Sequence, residues 1–137
     1  MAHEIRRVDY FHTTVSDRPG EALRFLSALE EIGVDLLAFT AIPVGLLQTQ
    51  LTIFPSDAGR FEKESENVRF RVDGPHGALL VQGDDAPGAL VEIHEKLYRA
   101  DVNVYASTAV ASGRGRYGYI IYVRPEDLDE AAEALGL

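Results

Sequence analysis

Two short runs carry most of the chemical potential in this chain: Asp17-Arg18-Pro19-Gly20 and, half a chain length later, Asp85-Ala86-Pro87-Gly88. Each stands between an apolar, strand-like run and an amphipathic helix pattern. At such a junction Gly20 and Gly88 let backbone approach a ligand closely, and the unpaired N–H groups and dipole of the helix start favour a carboxylate. Asp17 or Asp85 has the charge to accept from an ammonium group. The same residues also have a purely local use, in which the acids cap the helices and the glycines permit a tight turn. On the residues alone both readings stand.

Other chemistry finds little support. Ser16, Ser107 and Thr108 have no Gly-x-Ser-x-Gly turn and no paired base. His3, His12, His76 and His94 fall at no metal-ligand spacing, so structural or surface roles are expected for them. His94 borders an apolar helical stripe and is expected to be partly buried against a polar neighbour. Gly113-Arg114-Gly115-Arg116-Tyr117-Gly118 is glycine-rich, but it joins two strands and lacks the Lys-Ser/Thr of a phosphate loop. It reads as a hairpin tip with solvated arginines. No catalytic residue, metal site or cofactor is expected.

The elements that position the two runs repeat with them. Residues 15–41 laid over 83–109 without a gap match at Asp17/Asp85, Pro19/Pro87, Gly20/Gly88, Leu29/Leu97, Val34/Val102, Ala38/Ala106, Thr40/Thr108 and Ala41/Ala109, eight of 27 positions. Composition alone would give roughly two. Each copy is therefore expected to be one supersecondary unit packed against its twin. In the first, Val8–Val15 is a strand, Asp17 caps a helix, and Ala22, Leu23, Leu26, Leu29 and Ile32 form its buried stripe up to a stop at Gly33. Strands over Val34–Ile42 and Leu47–Phe54, a polar helix over Ser56–Glu66 and a strand over Val68–Val72 follow.

The second copy runs from a strand at Ala78–Gly83 through a helix with Leu90, Ile93, Leu97 and Ala100 buried, an alternating strand from Val102 to Val110, a strand over Tyr117–Val123 and an acidic helix over Glu126–Leu135. It lacks a fourth strand. The modules are expected at 1–73 and 77–137, and Asp73-Gly74-Pro75-His76-Gly77 is short enough for an antiparallel hairpin. That hairpin would set Val68–Val72 between the two first strands, in one continuous sheet with helices on one face.

Composition narrows the class. The chain has 137 residues, 46% of them apolar, enough for a packed core. It has no cysteine, which excludes disulfides and thiolate chemistry, and no apolar run long enough for a signal peptide or membrane span, so a cytoplasmic protein without membrane contact is expected. A formal charge of −9, from thirteen Lys and Arg against 22 Asp and Glu, would repel a phosphate backbone and argues against nucleic acid as partner.

The order β-α-β-β-α-β is the ferredoxin-like plan. With Asp-x-Pro-Gly at the first strand-helix junction, and Gly33-Val34-Asp35 or Asp101-Val102-Asn103 after the helix, the chain resembles the ACT domain, the small regulatory module of amino-acid metabolism. The resemblance covers nearly the whole chain as two tandem copies and implies an α+β fold. It implies modules packed side by side, with a small ligand, usually an amino acid, held by the loop before the first helix of one module and the start of the second strand of its neighbour. The implied ligand residues are Asp17, Arg18, Pro19 and Gly20 with Val102 and Asn103, and Asp85, Ala86, Pro87 and Gly88 with Val34 and Asp35. Arg18 and the Asn103 amide suit an amino acid, whereas Asp84, Asp85 and Asp35 together should repel a carboxylate. The Gly20–Asn103 site is therefore expected to be the better one. A homodimer is expected, with an enzyme of amino-acid metabolism as a further partner and allosteric regulation as the role. The alternatives are an interaction module without ligand and a small enzyme of the same fold.

Overall fold

The computed structural model describes residues 3–67 and 70–137. Within them six strands and four α-helices follow one another as β1 (His3–Ser16), α1 (Glu21–Glu31), β2 (Leu36–Pro43), β3 (Gln48–Pro55), α2 (Ala58–Glu64), β4 (Asp73–Asp84), α3 (Val91–Arg99), β5 (Ala106–Gly113), β6 (Arg116–Tyr122) and α4 (Leu128–Ala134). The strands hydrogen-bond in the order β2-β3-β1-β4-β6-β5. The chain divides into two compact units, Asp9–His76 and Met1–Val8 with Gly77–Leu137.

The unit Asp9–His76 takes strands from the second part of β1, from β2 and β3, and from the start of β4. Along β1, side chains alternate between faces. Phe11 and Val15 face the helices and meet Leu51 and Ile53 of β3, Phe25 and Leu29 of α1, and Phe61 of α2 in one buried cluster. Burial of aromatic and branched side chains on this scale is the main source of the unit's stability. The buried stripe of α1 differs from the expected one: Phe25 is fully buried, while Leu23 is 68% exposed. Asp57 caps α2, its carboxylate accepting from the Arg60 N–H at 3.0 Å.

The second unit has its own core of Leu79, Val81, Ile93, Leu97, Tyr119, Ile121 and Ala131, with Ile5 of β1 packed against it. Its strands are the latter part of β4, β5, β6 and the first residues of β1. The fourth strand that the second copy lacks in sequence is thus supplied by the chain's own beginning. Both units share the ferredoxin-like strand order, β2-β3-β1-β4 in one and β5-β6-β4-β1 in the other.

The hairpin expected at residues 73–77 is not formed. Asp73 to Asp84 is one strand, with a cis peptide at Gly74-Pro75, and β4 lies directly beside β1. Of the expected strand Val68–Val72, Val68 and Arg69 lie outside the described residues, and residues 70–72 are not strand. The expected cap by Asp17 is also absent: α1 starts after Gly20, at φ +90°, with no side-chain cap, and α3 starts after Leu90, likewise uncapped by a side chain.

Candidate ligand sites

The two Asp-x-Pro-Gly loops are built alike, and their equivalence reaches beyond sequence identity. The Asp17 N–H donates to the Leu47 carbonyl at 2.9 Å, and the Asp85 N–H donates to the Gly115 carbonyl at 2.8 Å. Leu47 and Gly115 are separated by the same interval as Asp17 and Asp85, and each sits at a hairpin tip with positive φ, 61° and 72°. Val34 N–H closes α1 on the Leu29 carbonyl as Val102 N–H closes α3 on Leu97, both at 2.9 Å. Positive φ recurs at Gly20 and Gly88 (90° and 82°), at Gly33 and Asp101, and at Gly45 and Gly113. The repeat is therefore one of backbone conformation as well as of residue type.

The main chain ties each loop down, which leaves the acid side chains uncommitted. Among the described residues neither the Asp17 nor the Asp85 carboxylate has a hydrogen-bond or ion-pair partner. Asp17, Arg18, Pro19 and Gly20 are all exposed, as are Asp85, Ala86, Pro87 and Gly88. Arg18 is engaged, its guanidinium 2.7 Å from Glu21, which also takes Arg24 at 3.3 Å. Asp35 and Asn103 are exposed. Asp35 Oδ1 accepts from the Leu36 N–H at 3.1 Å, and its carbonyl accepts from the Ser56 N–H at 2.8 Å. Val34 is half-buried and Val102 buried, both packed into the cores of their units.

At the second loop the chain forms a hollow of about 370 Å³, lined by Asp85, Ala86, Gly88 and Val91 on one side and by Val110 of β5 and Tyr117 of β6 on the other. That volume lies within the range of small-molecule sites. Asp84 is held by Arg116 at 2.9 Å and Glu92 by Lys96 at 3.2 Å, so Asp85 is the unpaired acid of the hollow. Burial raises the Tyr117 pKa; Arg116 opposes this, and Asp84 and Glu92 add to it. Its hydroxyl stays protonated and able to donate. Val110 and Tyr117 were not among the sequence-predicted site residues, although the hairpin tip at Gly115, the counterpart of Leu47 in the repeat, places them beside the loop. The β5 edge of the hollow is open, with all eight residues of β5 exposed.

Among the described residues no group of three His, Asp or Glu could hold a metal ion, and no helix is long and apolar enough to cross a membrane. His94 bonds to the Tyr119 hydroxyl, the polar neighbour expected for it, but the residue is exposed and not partly buried. No protein-family model matches the sequence, and no curated protein matches it. Solved structures do. A Bacteroides thetaiotaomicron protein superimposes with a TM-score of 0.77 at 17% identity, over 96% of this chain and 88% of that one. The ligand-free regulatory subunit of aspartate kinase from Thermus thermophilus gives 0.61 at 15% identity, over 97% and 93%. The Thermus flavus subunit gives 0.59 at 15%, over 98% and 93%.

The fold is the tandem ACT-type fold. The likeness runs over nearly the full length of those regulatory subunits and so takes in both units of this chain.

Proposed function

We propose that this ACT-type chain is a regulatory module that binds a small ligand, an amino acid, at one or both of its Asp-x-Pro-Gly loops. One observation carries the reading: in both loops the main-chain N–H of the aspartate does the structural work, while the carboxylate has no partner among the described residues. A helix-capping use for Asp17 and Asp85 is thereby removed, and what remains is an acid beside a left-handed glycine at a helix start. The hollow at the second loop gives that acid a volume to serve. The likeness to aspartate kinase regulatory subunits supports a regulatory role and an enzyme of amino-acid metabolism as partner. A second copy pairing along the exposed β5 edge would close the hollow, so a homodimer belongs to the same proposal. The pairing of Arg18 with Glu21 weakens the reason for preferring the first loop.

The test is thermal unfolding of the full chain with each of the twenty amino acids. A ligand that binds only the native state stabilises it by about 2.7 kcal/mol at a hundredfold excess over Kd. A selective rise in Tm with one or two amino acids, lost in Asp85→Asn or in Asp17→Asn, supports the reading and says which loop binds. A flat panel overturns it in favour of an interaction module without ligand.

A further inference from the structure

The internal repeat makes each unit a control for the other, and one place departs from its twin in a consistent direction. In the β1–β3 ladder His12 lies opposite Thr52, Thr13 opposite Leu51 and Thr14 opposite Gln50. The corresponding rungs of the second copy, in the β4–β6 ladder, pair Leu80 with Ile120, Val81 with Tyr119 and Gln82 with Gly118. The fold is thus satisfied by Leu and Ile where the unit Asp9–His76 places His and Thr. Thr13 and Thr52 are, tyrosines apart, the buried polar residues among those described. Burying hydroxyls where a hydrocarbon serves is unfavourable unless they are bonded, and at best neutral when they are.

Their bonds converge on one cavity. Thr52 Oγ1 lies 2.9 Å from His12 Nδ1, which leaves Nε2 as the remaining nitrogen of the ring. The Thr13 hydroxyl donates to the Arg71 carbonyl at 2.8 Å and so fixes the backbone of Arg71 beside the strand. His76 Nε2 lies 2.9 Å from Asp73 Oδ2, and the His12 and His76 rings are 5.4 Å apart. A cavity of about 460 Å³ is lined by His12, Thr14, Gln50, Arg71 and Asp73, with Phe70 as an apolar wall. Among the described residues the Arg71 guanidinium has no ion-pair or hydrogen-bond partner. With Thr13, whose hydroxyl is committed to the Arg71 carbonyl, the lining offers one cation, one anion and four further hydrogen-bonding side chains. No residue of it belongs to either Asp-x-Pro-Gly loop.

We propose that this cavity binds a small carboxylate carrying a hydrogen-bond donor on its α carbon, an α-amino or α-hydroxy acid, with the carboxylate on Arg71 and the donor on Asp73. His12, Thr14 and Gln50 bond the remaining polar atoms. The site is independent of the loops and does not rest on the reading given for them. One cation with one anion suits such a molecule better than a simple anion, which Asp73 would repel.

The full chain is titrated with L-alanine, L-lactate and propionate while the Thr14 and Gln50 amide resonances and the His76 ring are followed by NMR. Alanine or lactate should move these signals at concentrations at which propionate does not; which of the two does so distinguishes an amino from a hydroxy acid. Arg71→Gln, at an exposed position, should raise Kd roughly tenfold or more, the loss of a charge-assisted bond. The double variant His12→Leu/Thr52→Ile installs the pair the twin already uses, so it should fold and lose the response. Asp17→Asn and Asp85→Asn should leave these shifts intact, which separates this site from the loops. No movement with any probe overturns the proposal, as does binding of propionate equal to the others or a response that survives both Arg71→Gln and the double variant.

Discussion

Gly20 and Gly88 hold left-handed backbone, φ +90° and +82°, and a Cβ at Gly20 would meet nothing within 4 Å. Gly20→Ala should therefore cost only the backbone term, roughly 1–2 kcal/mol, read as a lower urea midpoint with unchanged m value. Asp85→Asn keeps its main-chain N–H on Gly115 and should change stability by less than about 0.5 kcal/mol, so any loss of ligand response is a binding effect. Burial lowers the pKa of His12 below 6.5, His76 adds to the shift, and Asp73 opposes it. The unfolded chain then takes up its proton first as pH falls, so stability should decline below about pH 6.5, levelling off once the native His12 is protonated. Above that pH the group contributes no slope. Urea midpoints at about pH 7.5 and about pH 5.5 should differ less in His12→Leu than in the native chain. The loop residues were legible in sequence because the motif occurs twice. The cluster around His12 was not, because histidine spacing along the chain says nothing about cross-strand neighbours; only the substitutions of His12 by Leu80 and Thr52 by Ile120 at the repeat interval carried that signal.

At the scale of elements, helix α1 teaches how an amphipathic pattern misleads. Leu23, Leu26 and Ile32 are apolar enough to define a stripe, yet the face that is buried centres on Phe25 and Leu29, and Leu23 points to solvent. A wide apolar arc leaves the helix rotation undetermined until the sheet beneath it is known. Phe25→Ala should cost about 3–5 kcal/mol and Leu23→Ala less than about 0.5, a contrast that urea denaturation of the two variants reads directly. The missed first residues of β4, Asp73–Gly77, have a similar origin. Gly74-Pro75 punctuates a sequence as a turn does, and nothing local reveals that the chain continues straight through it.

For the whole molecule, the sequence repeat foretold two like units but not how the chain is shared between them. Asp9–His76 is continuous and contains all four of its strands, so a fragment of residues 9–76 should unfold cooperatively by itself. Residues 77–137 alone should not. With residues 3–8 joined after Leu137 through a short flexible linker, the same fragment should regain a cooperative transition, because the strand that carries Ile5 is restored. Thermal unfolding followed by circular dichroism compares the three. A cooperative transition for 77–137 without that strand would show that His3–Val8 is dispensable.

The same routing sets an order for biosynthesis. His3–Val8 leaves the ribosome before Asp9–His76, yet it belongs with the later part of β4 and with β6, whose segments emerge only after that unit. The unit Asp9–His76 can close while synthesis continues, but the strand segment His3–Val8 has to wait with its edge groups unsatisfied. Glu4, Arg6 and Arg7 make that wait tolerable: charge in a strand opposes pairing with the wrong neighbour until the right one has been made.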